Sequence, residues 1–145
     1  MKITLANIED QQKIAVLDRH IPSARLEECI ERGRIYALND GDAILGVLRY
    51  SLFWQTIPFL DLIYLREDVR NKGFGTEMMR IWETAMQNAG YSHIMTSTQA
   101  DEDAWKFYEK LGYRKVGGFF PPEQEAEEWI YLKELKNFNE TGVTQ

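Results

Sequence analysis

The chain has 145 residues, the size of one ordinary domain, and with 44% hydrophobic and 28% charged residues it fits neither a collagen-like, a low-complexity nor a disordered polypeptide. Seventeen Lys and Arg stand against 23 Asp and Glu, and the net charge of −6 argues against a protein whose main partner is a nucleic-acid phosphate backbone. Cys29 is the only cysteine, so neither an intramolecular disulfide nor a Cys-rich zinc site can form, which fits a reducing compartment. The first residues reach acidic positions before any long apolar run, and no stretch approaches the roughly 18 apolar residues of a membrane span. The expectation is a cytoplasmic protein with no membrane partner and no metal.

Lys2 to Ala6 reads as a short strand, followed by a helical pattern through Ile8, Ile14, Ala15 and Leu17 that Pro22 interrupts. A second helix is expected from Ala24 to Arg32, with Ser23 as its N-cap and Gly33 as its stop. Ile35 to Leu38 and Ala43 to Phe53 read as two strands joined by the turn Asn39-Asp40-Gly41-Asp42. Pro58 precedes the apolar run Phe59 to Leu65, a central strand whose one charge is Asp61. Phe74, Met78, Trp82, Ala85, Met86 and Ala89 then recur at helical spacing up to Gly90. A strand over His93 to Thr98 and a helix over about Glu102 to Leu111 follow, with Asp101 placed to cap the helix and Gly112 to end it. Tyr113 to Val116 and Trp129 to Leu132 are the last strands, separated by Gly117, Gly118 and Pro121-Pro122. The order β, α, α, β, β, β, α, β, α, β, β describes an α/β domain over residues 1–136, with a mixed, mostly antiparallel twisted sheet, a central βαβ unit and flanking helices. Residues 137–145 read as a frayed tail.

Between the central strand and the long helix lies Arg66-Glu67-Asp68-Val69-Arg70-Asn71-Lys72-Gly73-Phe74-Gly75-Thr76. A helix N-terminus offers unpaired N–H groups and about half a positive charge, so a loop there can hold phosphate when its backbone can approach closely. Gly73 and Gly75 permit that approach, and Arg70 and Lys72 add cations. The same two glycines also suit a plain strand-to-helix turn. The spacing is neither a P-loop nor G-x-G-x-x-G, because Met78 occupies the third glycine position. Charge is nonetheless distributed suggestively: −2 over residues 1–65, zero over 66–115 and −4 over 116–145.

These residues resemble the GNAT superfamily of acetyl-CoA-dependent N-acetyltransferases. Arg70-Asn71-Lys72-Gly73-Phe74-Gly75 is similar to its [Q/R]-x-x-G-x-[G/A] pyrophosphate loop, and Asp101 to Tyr113 resembles its second signature, Asn-x-x-Ala followed by Phe-Tyr and Leu-Gly-Phe/Tyr. The specific part spans Phe59 to Val116. The resemblance implies a GNAT-like fold and acetyl transfer to a primary amine. It implies that Arg70, Asn71, Lys72, Gly73, Phe74, Gly75 and Thr76 bind the CoA pyrophosphate, and that Ile63 and Leu65 pair with the pantetheine arm. The Leu65 N–H then polarises the thioester carbonyl, and Tyr108 protonates or hydrogen-bonds the departing sulfur. Asp101 stands where the family usually has Asn, and an ionised Asp only accepts hydrogen bonds.

An alkylammonium is only about 1 part in 2,500 neutral at pH 7, so the acceptor needs a base or a desolvated site. His20 and His93 lie away from the signatures. Period-two alternation places Phe59, Asp61, Ile63 and Leu65 on one strand face, making Asp61 a candidate base; the alternatives are a carboxylate paired with Arg49 and a water relay, from Asp61 or from the Glu123 to Glu128 loop. Tyr108 reads either as the functional tyrosine or as a core aromatic, while Met78, Met79 and Trp82 read as core. Phe53 and Trp54 suggest an acceptor-pocket wall or a homodimer contact, and the Glu123, Glu125, Glu127 and Glu128 run either attracts a cationic amine or is a solvated face. Cys29 lies outside both signatures, so direct attack in a ternary complex is expected. The competing readings are a non-catalytic acyl-CoA-binding module and a Rossmann-type dinucleotide enzyme. The acceptor, a small molecule or a peptide amine, is shaped by segments that carry no motif.

Overall fold

A computed structural model describes residues 1–136; the expected frayed tail lies outside the described residues. Among the described residues seven strands are present: β1 (Lys2–Leu5), β2 (Ile35–Asp40), β3 (Ala43–Phe53), β4 (Ile57–Leu65), β5 (His93–Gln99), β6 (Arg114–Phe119) and β7 (Glu128–Glu134). Four α-helices join them: α1 (Gln11–Leu17), α2 (Ser23–Glu31), α3 (Phe74–Asn88) and α4 (Ala104–Lys110). The order of elements is the expected one, and the strands follow the order β1-β2-β3-β4-β5-β7-β6 in a mixed sheet whose β4–β5 pair is parallel. The chain divides into two compact units interleaved in sequence, residues 1–51 with 61–82, and residues 52–60 with 83 onward.

The first unit packs α1 and α2 with the β1–β2–β3 meander. Ile14, Leu26, Ile30, Ile35, Ala37, Ile44 and Val47 form its core, with Leu62 and Tyr64 of β4 packed against them. Alternation along β2 and β3 and the 3.6-residue spacing of Leu26 and Ile30 place these apolar groups on facing surfaces. The β2–β3 turn is tighter than expected: Asn39 and Asp40 stay in β2, and only Gly41 and Asp42 make the turn, with Gly41 at φ +62. Helix α2 starts at Ser23 itself. The preceding Pro22 occupies the cap position at φ −63 and ψ 148, and the Ser23 hydroxyl instead accepts from Gln11 Nε2 at 3.3 Å, tying α2 to α1. Met78, Met79 and Trp82 of α3 are fully buried, as core residues should be.

In the second unit, β7 pairs antiparallel with both β5 and β6, and an aromatic cluster fills the interior: Tyr108 lies 5.8 Å from Tyr113 and 6.4 Å from Tyr131 between ring centroids. The half-buried Glu83 accepts from Tyr113 Oη at 2.7 Å and from Lys133 Nζ at 2.8 Å, and Lys133 also donates to the Leu111 carbonyl. Gly117 and Gly118 do not separate the last strands but lie within β6. A Cβ at Gly118 would stand 3.0 Å from the Glu128 carbonyl oxygen of the partner strand, closer than an ordinary contact. Asp101 does not cap α4. The helix begins after Asp103, whose carboxylate is engaged by Lys106 at 3.3 Å, while a turn closed by Glu102 N–H on the Gln99 carbonyl at 3.2 Å takes up Asp101.

Candidate active site

The parallel ladder between β4 and β5 is short, with registered pairs at Phe59–Met95 and Leu60–Thr96, while β4 continues to Leu65. Just past the strand, the Arg66 N–H donates to the Leu45 carbonyl of β3 at 2.9 Å. Because successive peptide groups of a strand point to opposite edges, the N–H groups of Ile63 and Leu65 face the edge away from β3. Gly46 of β3 secures this seat: a Cβ there would collide with Leu65 Cδ2 and lie 3.1 Å from the Tyr64 carbonyl oxygen.

Beyond Leu65 the chain makes one 3₁₀ turn (Glu67–Val69), pinned by buried Val69, and then an exposed loop. Asn71 at φ +61 and Gly73 at φ +90 bend it back into α3. A Cβ at Gly73 would meet nothing within 4 Å, so glycine is required there by the backbone angle rather than by crowding. The first helical bond runs from Glu77 N–H to the Gly73 carbonyl at 3.1 Å, which leaves the N–H groups of Gly73, Phe74, Gly75 and Thr76 ahead of the helical ladder and suited to an anion. Arg70 is not a free cationic arm. Its Nε donates to the Leu65 carbonyl at 2.8 Å and its guanidinium lies 5.3 Å from the Tyr64 ring centroid, so it clamps the loop onto the strand end. Arg66 is paired with Asp68 at 2.6 Å, and Lys72 is exposed.

Asp61 has the partner its alternative reading foresaw. Arg49 binds buried Asp18 at 2.6 Å through Nε and reaches Asp61 Oδ2 with Nη1 at 3.5 Å, a weaker contact. Burial raises the Asp61 carboxyl above its ordinary range, against the lowering effects of the Ser51 hydroxyl and Arg49, while Asp18 adds to the rise. Its side chain remains 25% exposed, so water and a substrate can reach it.

Tyr108 is 6% exposed on the inner face of α4, and its hydroxyl is hydrogen-bonded to Thr96. Thr96 gives its own hydroxyl proton to the Leu60 carbonyl at 3.1 Å. Burial pushes the phenol up to about 12, opposed by the Thr96 contact and aided by the Glu128 charge, and the group is a neutral donor at physiological pH. Thr96 carries no motif and was invisible in the sequence; only the period-two burial of Ile94, Thr96 and Thr98 marks it as inward-facing.

Asp101 and His20 are exposed, and His93 contacts Ser92 Oγ at 2.9 Å. Glu128 is not merely a solvated charge: it accepts from Ser97 Oγ at 2.7 Å and from Gln124 Nε2 at 3.1 Å, while Glu127 accepts from Trp129 Nε1. Among the described residues no group of His, Cys, Asp and Glu could hold a metal ion, and no helix is long and apolar enough to cross a membrane.

The profile of the acetyltransferase (GNAT) family matches residues 4–113, drawing on both compact units. No curated protein matches in sequence. Among solved structures, Ard1 from Thermoplasma volcanium is similar with a TM-score of 0.83 at 12% identity, covering 94% of this chain and 98% of that one. The ribosomal-protein-S18-alanine N-acetyltransferase of Escherichia coli gives 0.79 at 12% identity over 93% and 94%. An aminoglycoside 6'-N-acetyltransferase complexed with coenzyme A gives 0.79 at 18% identity over 94% and 98%. At these identities the likeness is one of fold.

Proposed function

Since the chain belongs to the GNAT acetyltransferase family, we propose that it transfers an acetyl group from acetyl-CoA to a primary amine by direct attack in a ternary complex. The observation that carries this reading is the short β4–β5 ladder followed by a glycine-bent loop that ends in a helix N-terminus. Outward-facing peptide N–H groups at Ile63 and Leu65 suit an extended amide-bearing arm, and the N–H groups of 73–76 suit its pyrophosphate. Arg70, Asn71, Lys72, Gly73, Phe74, Gly75 and Thr76 form the proposed phosphate cradle, with Arg70 acting as its clamp. Asp101 and Tyr108 complete the proposed cofactor contacts. The co-substrate supplies an activated thioester; the remaining chemistry falls to the chain.

The Leu65 N–H donates to the thioester carbonyl as negative charge develops there, an effect commonly worth a few kcal/mol. Asp61 accepts the ammonium proton, directly or through water. Its upward-shifted carboxyl is a better base for that purpose than an ordinary one. Tyr108 donates a hydrogen bond to the departing sulfur. With the phenol near 12 and an ordinary thiol near 8.5, full proton transfer costs roughly 5 kcal/mol, so hydrogen bonding is the stronger part of its contribution. Cys29 is half-buried in α2 with its thiol raised by burial, which disfavours it as an acyl carrier.

Two measurements test the reading. CoA should raise the melting temperature and NAD should not. Incubation with acetyl-CoA alone should leave the intact mass unchanged; a stable acetyl adduct formed without acceptor contradicts direct transfer.

A further inference from the structure

Asp18 takes no part in the proposed transfer, yet among the described residues it is the one buried charged side chain, 2% exposed at the C-terminal cap of α1. A buried carboxylate is costly unless it is paired, and replacing a buried ion pair by apolar side chains is commonly neutral or stabilising, so packing does not call for it. Both of its oxygens are engaged. Oδ2 accepts from Arg49 Nε at 2.6 Å, while Oδ1 accepts from the His20 N–H at 3.3 Å and stands 3.5 Å from Arg49 Nη2.

Arg49 is fixed at its other end by β3, where it stands opposite Ile35 of β2. With Nε and Nη2 on Asp18, only Nη1 is turned toward Asp61, at 3.5 Å. A guanidinium that is free to choose presents two parallel N–H groups to a carboxylate. Here that fork faces Asp18, and Asp61 receives a single long contact. The three side chains form a row from the interior outward, 1% exposed at Asp18, 12% at Arg49 and 25% at Asp61. The other groups around Asp61 are the Ser51 hydroxyl of β3, Arg34 ahead of β2 and Cys29 of α2, whose thiol burial keeps protonated. All of them, and Leu65, belong to the first compact unit.

We infer that Asp18 is a positioning residue for the transfer: by keeping the guanidinium fork of Arg49 on itself, it holds Asp61 out of a closed ion pair and leaves that carboxylate open to take the acceptor's proton. This rests on the reading of Asp61 as the base and extends it to a residue that touches no substrate. Once the fork is released, Arg49 turns on Asp61, occupies both of its oxygens and weakens it as a base. Loss of Arg49 has the opposite effect, because burial then acts on Asp61 with its nearest cation gone.

The test follows the carboxyl carbon of Asp61 by NMR through a pH titration, alongside the acidic limb of kcat/KM. Asp18→Asn should lower both by about one pH unit and reduce the plateau of kcat/KM several-fold, and its crystal structure should show two Arg49 nitrogens on Asp61. Arg49→Gln should move both upward. A folding defect reduces amplitude and cannot shift the limb in opposite directions. An Asp61 resonance that titrates in Asp18→Asn as in the unaltered protein overturns the inference. So does a lowered one with Arg49 unmoved in the crystal, which assigns the effect to the Asp18 charge alone. A second variant leaves Asp18 in place, so the test does not depend on Asp18→Asn folding: in Asp61→Asn the Arg49 Nε–H should keep its slow exchange with solvent, because Asp18 still holds it, and loss of that protection refutes the hold. If the Asp61 resonance moves as expected while the acidic limb stays in place, or while no amine is turned over, the hold on Arg49 is upheld and it is the base assignment or the transferase reading that fails.

Discussion

Replacing Tyr108 by Phe removes one oxygen, and the structure separates its effects on stability and on chemistry. The phenol is hydrogen-bonded to Thr96, and Thr96 keeps its own acceptor, the Leu60 carbonyl at 3.1 Å, so the variant leaves no buried donor without a partner. The loss is then one neutral hydrogen bond, about 1 kcal/mol, or roughly 4 °C in melting temperature. The catalytic loss should be far larger: withdrawing a donor from the leaving sulfur lowers kcat by about 10² to 10⁴. Steady-state thiol release at saturating acetyl-CoA, with a melting curve and a CoA titration on the same preparation, separates the two. Retained fold and CoA affinity with a kcat reduced a hundredfold or more is expected. An unchanged kcat would falsify the assignment, and a loss of activity that tracks loss of the folded state would reduce Tyr108 to a core aromatic. Because the phenol lies near 12, Tyr108 should contribute no basic limb to the rate profile below about pH 10.

Asp61→Asn should abolish the acidic limb of kcat/KM and lower its plateau; a profile that keeps the limb assigns the proton transfer elsewhere. The same variant should melt higher than the parent at neutral pH. A carboxyl raised in the folded state lends stability only while protonated, which is lost as pH rises through its folded value, so the two curves should converge below about pH 3.8. Gly46→Ala should weaken CoA binding and slow turnover by pushing Leu65 off its seat, and a crystal structure with Leu65 unmoved would remove that rationale. Lys133→Met strips the cation from Glu83, whose side chain is 14% exposed, and should cost about 2 kcal/mol in urea unfolding, less than a fully buried pair because Tyr113 still donates to it. A change under about 0.5 kcal/mol would show that the pair is already solvated.

What the sequence reveals is what local physics determines. Gly33, Gly73, Gly90 and Gly112 all adopt the positive φ that ends or begins a helix, and the apolar period of Met78, Trp82 and Met86 reads directly onto the buried side of α3. Failures arise where distant groups compete for the same atom. Ser23 and Asp101 are good caps in isolation, but a Gln11 amide takes up the Ser23 hydroxyl, and α4 starts after Asp103 instead of at Asp101. Arg70 looks like a phosphate arm until the Leu65 carbonyl occupies its Nε. Thr96, Ser97 and Gln124 carry no signature at all, because their roles come from strand register and from a carboxylate far away in the chain.

The most direct test of the central claim is acceptor-dependent release of free thiol from acetyl-CoA across a panel of primary amines, with the acetylated amine identified by mass. Release that requires an amine and matches acetyl-amine formation one for one is predicted. Firm CoA binding with no amine raising thiol release above the acceptor-free rate would contradict transfer and leave a CoA-binding module.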